Sequence, residues 1–295
     1  MKQPIFTGAC VAIVTPFDEN GVNFDALGNL IEAQIAGGTN AICICGTTGE
    51  ASTQSFEEHI ATIEYCTKKV AGRVKVIAGT GANNTQEALY LSQSAEQCGV
   101  DGLLLVTPYY NKATQTGLIK HYTYIADRVN TPIILYNVPG RTGTTIQAPT
   151  YQVLAQHPMI NGCKEASGNL DLISHTLAAC PEDFYMWSGN DDQVVPMMSL
   201  GAKGVISVVS NVWPQVMAQM TQLCLEGKFA EAAKLQLSIT PLCDALFCEV
   251  NPIPVKGALN LMGMNAGELR LPLCDMSDAH MEQMKNVLTQ FGLLK

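Results

Sequence analysis

The chain has 295 residues, 26 acidic against 17 basic side chains, a formal net charge of −9 and 47% apolar residues. This suits an ordinary globular protein with one large core or a single division, and an acidic chain without a basic run excludes nucleic acid as a partner. The eleven cysteines, odd in number and set irregularly in apolar stretches, read as reduced thiols of a cytoplasmic protein rather than a disulfide framework.

The N-terminal run MKQPIFTGACVAIVTPF holds one lysine and is broken by Pro16 and Asp18. It fits a first core strand better than a signal segment, and no stretch approaches membrane-spanning length, so no membrane partner is expected. Strand-like runs rich in Val, Ile, Leu and Gly fall at 9–15, 41–45, 75–78, 102–107, 133–136, 160–164, 184–188 and 204–208. Apolar residues at helical spacing lie between and after them, at 25–36, 55–71, 85–97, 115–128, 148–155, 170–179, 192–200 and 214–225. Eight strand-helix units match a closed parallel (β/α)8 TIM barrel, of α/β class, in number and length. A doubly wound sheet would show a glycine-rich phosphate turn after its first strand, whereas TPFDENG follows here. After Gly227 the pattern is helical, at 229–239, 255–261 and 279–291, with proline-bearing turns at Pro241, Pro252, Pro254 and Pro272. The expected division is a catalytic barrel, 1–226, and a C-terminal helical domain, 227–295, packed on the barrel or on another subunit.

In such a barrel the loops after the strands form one mouth. The sixth strand, INGCKEAS, would read as a buried strand were Lys164 apolar. Burying an unpaired ammonium is expensive, so such a lysine pairs, reaches water through an active-site mouth, or loses its proton and becomes an amine able to attack a ketone. Alone, the residue fits equally a strand-end lysine reaching solvent or Glu165. Tyr136 ends the neighbouring strand, where its phenol would lie beside Lys164 and exchange a proton, or simply pack its ring at the rim. The GTTGE segment offers two hydroxyls and free backbone amides between glycines, suited to a small carboxylate or an oxyanion, or else a threonine-capped turn. Arg141, between Gly140 and Gly143, presents a fork that matches a carboxylate, or an inter-loop salt bridge to Glu165 or Asp191.

No metal site is expected, because His59, His121, His157, His175 and His280 are scattered without ligand spacing, and Cys43 and Cys45 have no second pair at zinc-site distance. A two-carboxylate glycosidase is disfavoured because Glu165 should point away from the side that Lys164 faces. No GxSxG segment supports serine hydrolysis. Amine catalysis without metal is what remains.

Four motifs carry a family resemblance: GTTGE at 46–50, VTPYYN at 106–111, YNVPGRTG at 136–143 and KEASG at 164–168. They resemble the pyruvate-dependent class I aldolase superfamily and, within it, the dihydrodipicolinate synthase family, over the whole chain. Arg141 and the Thr47-Thr48 pair favour that family over the N-acetylneuraminate lyase branch. The resemblance implies condensation of pyruvate with L-aspartate-4-semialdehyde to 4-hydroxy-tetrahydrodipicolinate, in lysine and diaminopimelate biosynthesis. It implies that Lys164 forms the Schiff base without any cofactor, and that Thr48, Tyr136 and Tyr110 form a proton relay, Tyr110 reaching across from a neighbouring subunit. Thr47 and Thr48 would hold the pyruvate carboxylate, Ile206 and the carbonyl of Gly189 would line the pocket, and Arg141 would bind the carboxylate of the aldehyde. A homo-oligomer follows, with a tetramer, a dimer of dimers, expected from the family. A lysine-inhibitor pocket between subunits would use Ala51, Ser52, His59, Asn83, Glu87 and Tyr109, although Phe56 stands where inhibited members often carry histidine and Ala51 replaces a serine. Another pyruvate aldolase or lyase, and a non-catalytic scaffold on the same fold, are the alternatives.

Overall fold

The computed structural model describes residues 1–294. Its strands are β1 (Gly8–Ala12), β2 (Ala41–Ile44), β3 (Lys75–Gly79), β4 (Gly102–Val106), β5 (Ile133–Asn137), β6 (Ile160–Glu165), β7 (Tyr185–Ser188) and β8 (Gly204–Ser207). All pair in parallel, and β1 joins both β2 and β8, which closes the barrel. Each strand is buried on both faces, by the barrel interior and by the surrounding helices, which is why the runs are almost continuously apolar.

Alternation along the strands sorts side chains into two layers. Ile134 and Tyr136 on β5, with Cys10, Cys43, Ile77, Leu104, Trp187 and Ile206, fill the interior. Ile133 and Leu135 of the same strand, and Cys163 of β6, pack outward against the helices. Lys164 therefore shares the inner face with Tyr136, its register partner, while Glu165 pairs with Asn137 on the outer face.

The helices that follow the strands are α1 (Phe24–Ala36), α2 (Phe56–Val70), α3 (Thr85–Gln97), α4 (Gln115–Ala126), α5 (Ala148–Leu154), α6 (Leu170–Ala179), α7 (Val194–Ser199) and α8 (Pro214–Leu225). Several start at side-chain caps: Asn23, Asn84, Thr114 and Asn169 accept first-turn N–H groups, and Ser55 with Glu58 forms a capping box. The C-terminal region adds α9 (Phe229–Ser238), α10 (Thr240–Leu246), α11 (Ile253–Leu261) and α12 (Asp278–Gln290). Leu242, Leu246, Val255, Leu259, Met284 and Leu288 from these helices join the same apolar core as the outer faces of the strands.

Within TPFDENG and the residues after it, Phe17–Asp18 and Gly21–Val22 form a short antiparallel pair. Two local expectations are corrected. Pro241 does not separate helices; it lies in the first turn of α10, where its missing N–H would be unpaired anyway. The segment Pro139–Thr142 is one helical turn, which carries Arg141 on a fixed backbone. Among the described residues no helix is long and apolar enough to cross a membrane.

Candidate active site

At the end of β6, Lys164 is 6% exposed and makes neither ion pair nor hydrogen bond among the described residues. Its Nζ stands 4.3 Å from the ring centroid of Tyr136. In-register pairing across β5 and β6 produces that contact, and Trp187 flanks the lysine on β7. Beneath it the floor is uncharged: burial pushes the Cys43 thiol up to about 11 and holds the Cys10 thiol well above its usual range, against the pull of Lys164. No partner has to be displaced before the lysine nitrogen engages a ligand.

Gly189 closes one side. A Cβ there would stand 2.7 Å from Ala166 Cβ and 3.1 Å from Lys164 Cε, so the lysine chain passes where any other residue would put its side chain. The Gly189 N–H donates to the carbonyl of Glu165, 2.8 Å away. Ile206 is buried on the inner face of β8, beside Cys10.

The carboxylates near the lysine are engaged elsewhere. Glu165 is caged on the outer face by Asn137, which donates to both oxygens at 3.0 Å, by the Tyr151 hydroxyl at 3.1 Å and by the Ser167 N–H at 2.8 Å. Burial nevertheless pushes its carboxyl up. Asp191, also buried, accepts the N–H groups of Val208 and Val209 at 2.9 and 3.0 Å and so anchors the turn after β8. Burial raises its carboxyl too, opposed by those hydrogen bonds and by the charge of Lys164. Neither acid pairs with Arg141. That guanidinium is exposed at the mouth and donates to the carbonyl of Asn251 at 3.2 Å.

The loop after β2 is tied from within and without. The Gly46 carbonyl accepts the Gly49 N–H, the Thr47 carbonyl accepts the Glu50 N–H, and Thr15 and Gln54 side chains both donate to the Gly49 carbonyl. Thr48 is buried, and its hydroxyl accepts from Asn251 Nδ2 at 2.9 Å; Thr47 is exposed. Asn251 thus touches both Thr48 and Arg141 from the C-terminal region. Sequence reasoning missed it, having read NPIP only as a proline-bearing turn.

Tyr110 points the other way. Its backbone is left-handed, with φ 72°, and its side chain is 90% exposed. Asn111 and Asn83 lace this loop to the one after β3 by donating to the Asn83 and Tyr109 carbonyls. A tyrosine held in an uncommon conformation with its ring in solvent is presented outward rather than to its own barrel. Asn83, Glu87, Tyr109, Ala51 and Ser52 are partly or fully exposed. His59 is buried, with Nε2 2.8 Å from the Gly79 carbonyl, and burial holds its imidazole below its usual value.

A parallel barrel with an amine at the end of its sixth strand, a phenol beside it and hydroxyls and a guanidinium around the mouth defines a lysine-centred enzyme of the class I aldolase type. The dihydrodipicolinate synthetase family model matches residues 5–291, and the chain belongs to that family. A 4-hydroxy-tetrahydrodipicolinate synthase from Acetivibrio thermocellus is 52% identical over 294 residues, covering 100% of each chain. The structure of dihydrodipicolinate synthase from Aquifex aeolicus aligns with a TM-score of 0.96 at 46% identity, over 98% of this chain and 99% of that one. A chloride-inhibited dihydrodipicolinate synthase from Acinetobacter baumannii, complexed with pyruvate, aligns with a TM-score of 0.95 at 43% identity, over 98% and 99%.

Proposed function

We propose that this protein condenses pyruvate with L-aspartate-4-semialdehyde to give 4-hydroxy-tetrahydrodipicolinate, a step of lysine and diaminopimelate biosynthesis. The observation that carries the reading is the Lys164 amine, without a polar partner among the described residues and 4.3 Å over the Tyr136 ring in the barrel mouth. Family membership and the relatives' shared activity support it.

The Lys164 amine attacks the ketone of pyruvate, and loss of water leaves a protonated Schiff base. The iminium is the electron sink: a methyl proton departs and the enamine forms. Its carbon adds to the aldehyde of the second substrate, whose oxygen takes a proton. The substrate's own amine then attacks the imine carbon, the ring closes, and the bond to Lys164 breaks. Tyr136 is the nearest proton carrier, and Thr48, whose hydroxyl accepts from Asn251, links it to the mouth. Thr47 and Thr48 hold the pyruvate carboxylate, Gly189 and Ile206 line its pocket, and Arg141 receives the carboxylate of the aldehyde. The chemistry needs no cofactor or metal.

Tyr110 completes the relay of a neighbouring subunit, so the working unit is at least a tight dimer, and a homotetramer in the cytoplasm is the assembly. Residues 1–226 form the catalytic domain and 227–295 the helical domain that braces it. Ala51, Ser52, Asn83, Glu87 and Tyr109 form a pocket for L-lysine between subunits, with His59 behind it; a flat rate against millimolar L-lysine rejects that part.

Turnover of pyruvate with L-aspartate-4-semialdehyde is measured for wild type and Lys164→Ala, beside borohydride trapping with pyruvate. Turnover and trapping in wild type, both lost in the variant, are expected. Trapping without turnover rejects the acceptor aldehyde; no trapping rejects the aldolase reading altogether.

A further inference from the structure

We propose that the buried ion pair of Glu50 and Lys256 is a positioning device by which the C-terminal helices set the Thr47-Thr48 loop for the condensation, an inference that rests on the function proposed above. Glu50 is the last residue of GTTGE, and its N–H closes the turn over Thr48 by donating to the Thr47 carbonyl at 3.1 Å. Its backbone is left-handed, with φ 52°, a conformation that persists in a glutamate only when its surroundings impose it.

Those surroundings come from far along the chain. Lys256 Nζ lies 2.6 Å from Glu50 Oε1, with side-chain exposures of 1% and 0%. The same ammonium donates to the Glu268 carbonyl at 2.7 Å and stands 4.6 Å over the Phe17 ring. The other Glu50 oxygen accepts the Arg270 N–H at 3.1 Å, and the Arg270 guanidinium forks onto Glu58 at 2.6 and 2.8 Å. Arg270 lies over Phe17 as well, 4.0 Å from its centroid. Glu50 is therefore gripped through both oxygens by the C-terminal region.

Lys256 also carries the connection onward to the site. It sits in the first turn of α11, and its N–H donates to the carbonyl of Pro252, the neighbour of Asn251. Asn251 is the residue whose side chain donates to Thr48 and whose carbonyl accepts from Arg141. One short segment, 251–256, thus holds the loop at Glu50 and at Thr48 together. A hydrophobic pair of similar volume commonly serves stability as well as a buried ion pair does, and the best-attested use of such a pair is to fix a register. Here the register is that of α11 on the GTTGE loop.

The test uses the full chain with pyruvate and L-aspartate-4-semialdehyde, wild type alongside. In Glu50→Gln/Lys256→Met both charges are removed together, so no lone ion is left buried. The expected result is a folded protein with its unfolding midpoint within about 4 °C of wild type and a raised KM for pyruvate. Its kcat falls by about tenfold to a hundredfold, the scale of a 1 Å misplacement. Added to Asn251→Ala, the same two changes lower kcat by less than about twofold, because both act through Thr48. A folded double variant with wild-type kcat and KM, or losses that multiply on Asn251→Ala, overturns the proposal. Should the double variant not fold, Glu50→Asp keeps the charge one methylene shorter and is held to the same fall in kcat, with wild-type kcat as the refutation. Absence of turnover in wild type would instead refute the functional reading beneath it.

Discussion

Replacing Gly189 with alanine tests how closely the lysine is confined. The added methyl would lie 2.7 Å from Ala166 Cβ, 3.1 Å from Lys164 Cε and 3.2 Å from the Glu165 carbonyl oxygen. Carbon contacts settle near ~3.6 Å, so the overlap is about 0.9 Å at Ala166 Cβ and about 0.5 Å at Lys164 Cε. The Ala166 overlap is relieved only by the backbone that continues β6, which overpacking of this kind destabilises by about 1–3 kcal/mol, whereas the lysine chain turns about its own torsions. Displacement of the nucleophile by about 0.5 Å, half the misplacement that costs about a hundredfold, lowers kcat by about tenfold. The assay is the rate of borohydride trapping with pyruvate, followed beside turnover and thermal unfolding. Both rates should fall together in a protein that still folds at 25 °C. A Gly189→Ala enzyme that forms its adduct at the wild-type rate would show that Lys164 does not occupy this corner during reaction, and the confinement argument would fail.

Arg141→Ala should raise the KM for L-aspartate-4-semialdehyde by about thirtyfold, equivalent to losing a charged hydrogen bond of about 2 kcal/mol. Pyruvate trapping should stay near wild type; equal damage to both would place the guanidinium in the wrong role. Asn251→Ala leaves the Thr48 hydroxyl without its 2.9 Å donor and should lower kcat by about tenfold, the effect of a net hydrogen bond of about 1 kcal/mol or a little more; an unchanged kcat would show that Thr48 needs no such support. Co-expression of Tyr110→Phe with Lys164→Ala should restore about a quarter of wild-type turnover per subunit, since half of randomly formed dimers are mixed and each has one intact site. No restoration would mean that Tyr110 does not act across subunits. His121, whose imidazole burial lowers from 6.5 to about 4, binds fewer protons folded than unfolded between those values. Stability from this group is therefore complete above pH 6.5 and is lost as pH falls toward 4, by up to about 3 kcal/mol. Unfolding of His121→Phe followed across that range should show a flatter acid limb, and an identical slope would remove the assignment.

The barrel was legible because its signals are local. Each β strand repeats apolar residues over a few positions, several helices begin at a capping side chain, and a single lysine inside INGCKEAS stands out against its neighbours. Strand alternation even placed Lys164 and Glu165 on opposite faces, as the inner layer around Tyr136 and the outer cage of Asn137 and Tyr151 bear out. Less legible were places where a local signal had two outcomes, as at Pro241, which reads equally as a turn or as the start of a helix. Lys256 carried the same signal as Lys164, a lone lysine in the apolar stretch IPVKGAL, without a strand end to point to its use.

What the chain determined by itself was the order of elements, the face on which each side chain lies and the chemistry available at the mouth. Only the folded molecule decided which distant groups meet. Asn251 reaches Thr48 across 203 residues of sequence, and Lys256 finds Glu50 in a pocket from which both are shut off from water. Periodicity is a property of adjacent residues, set by backbone geometry, whereas these contacts depend on how the C-terminal helices pack across the barrel. No spacing in the sequence encodes that distance.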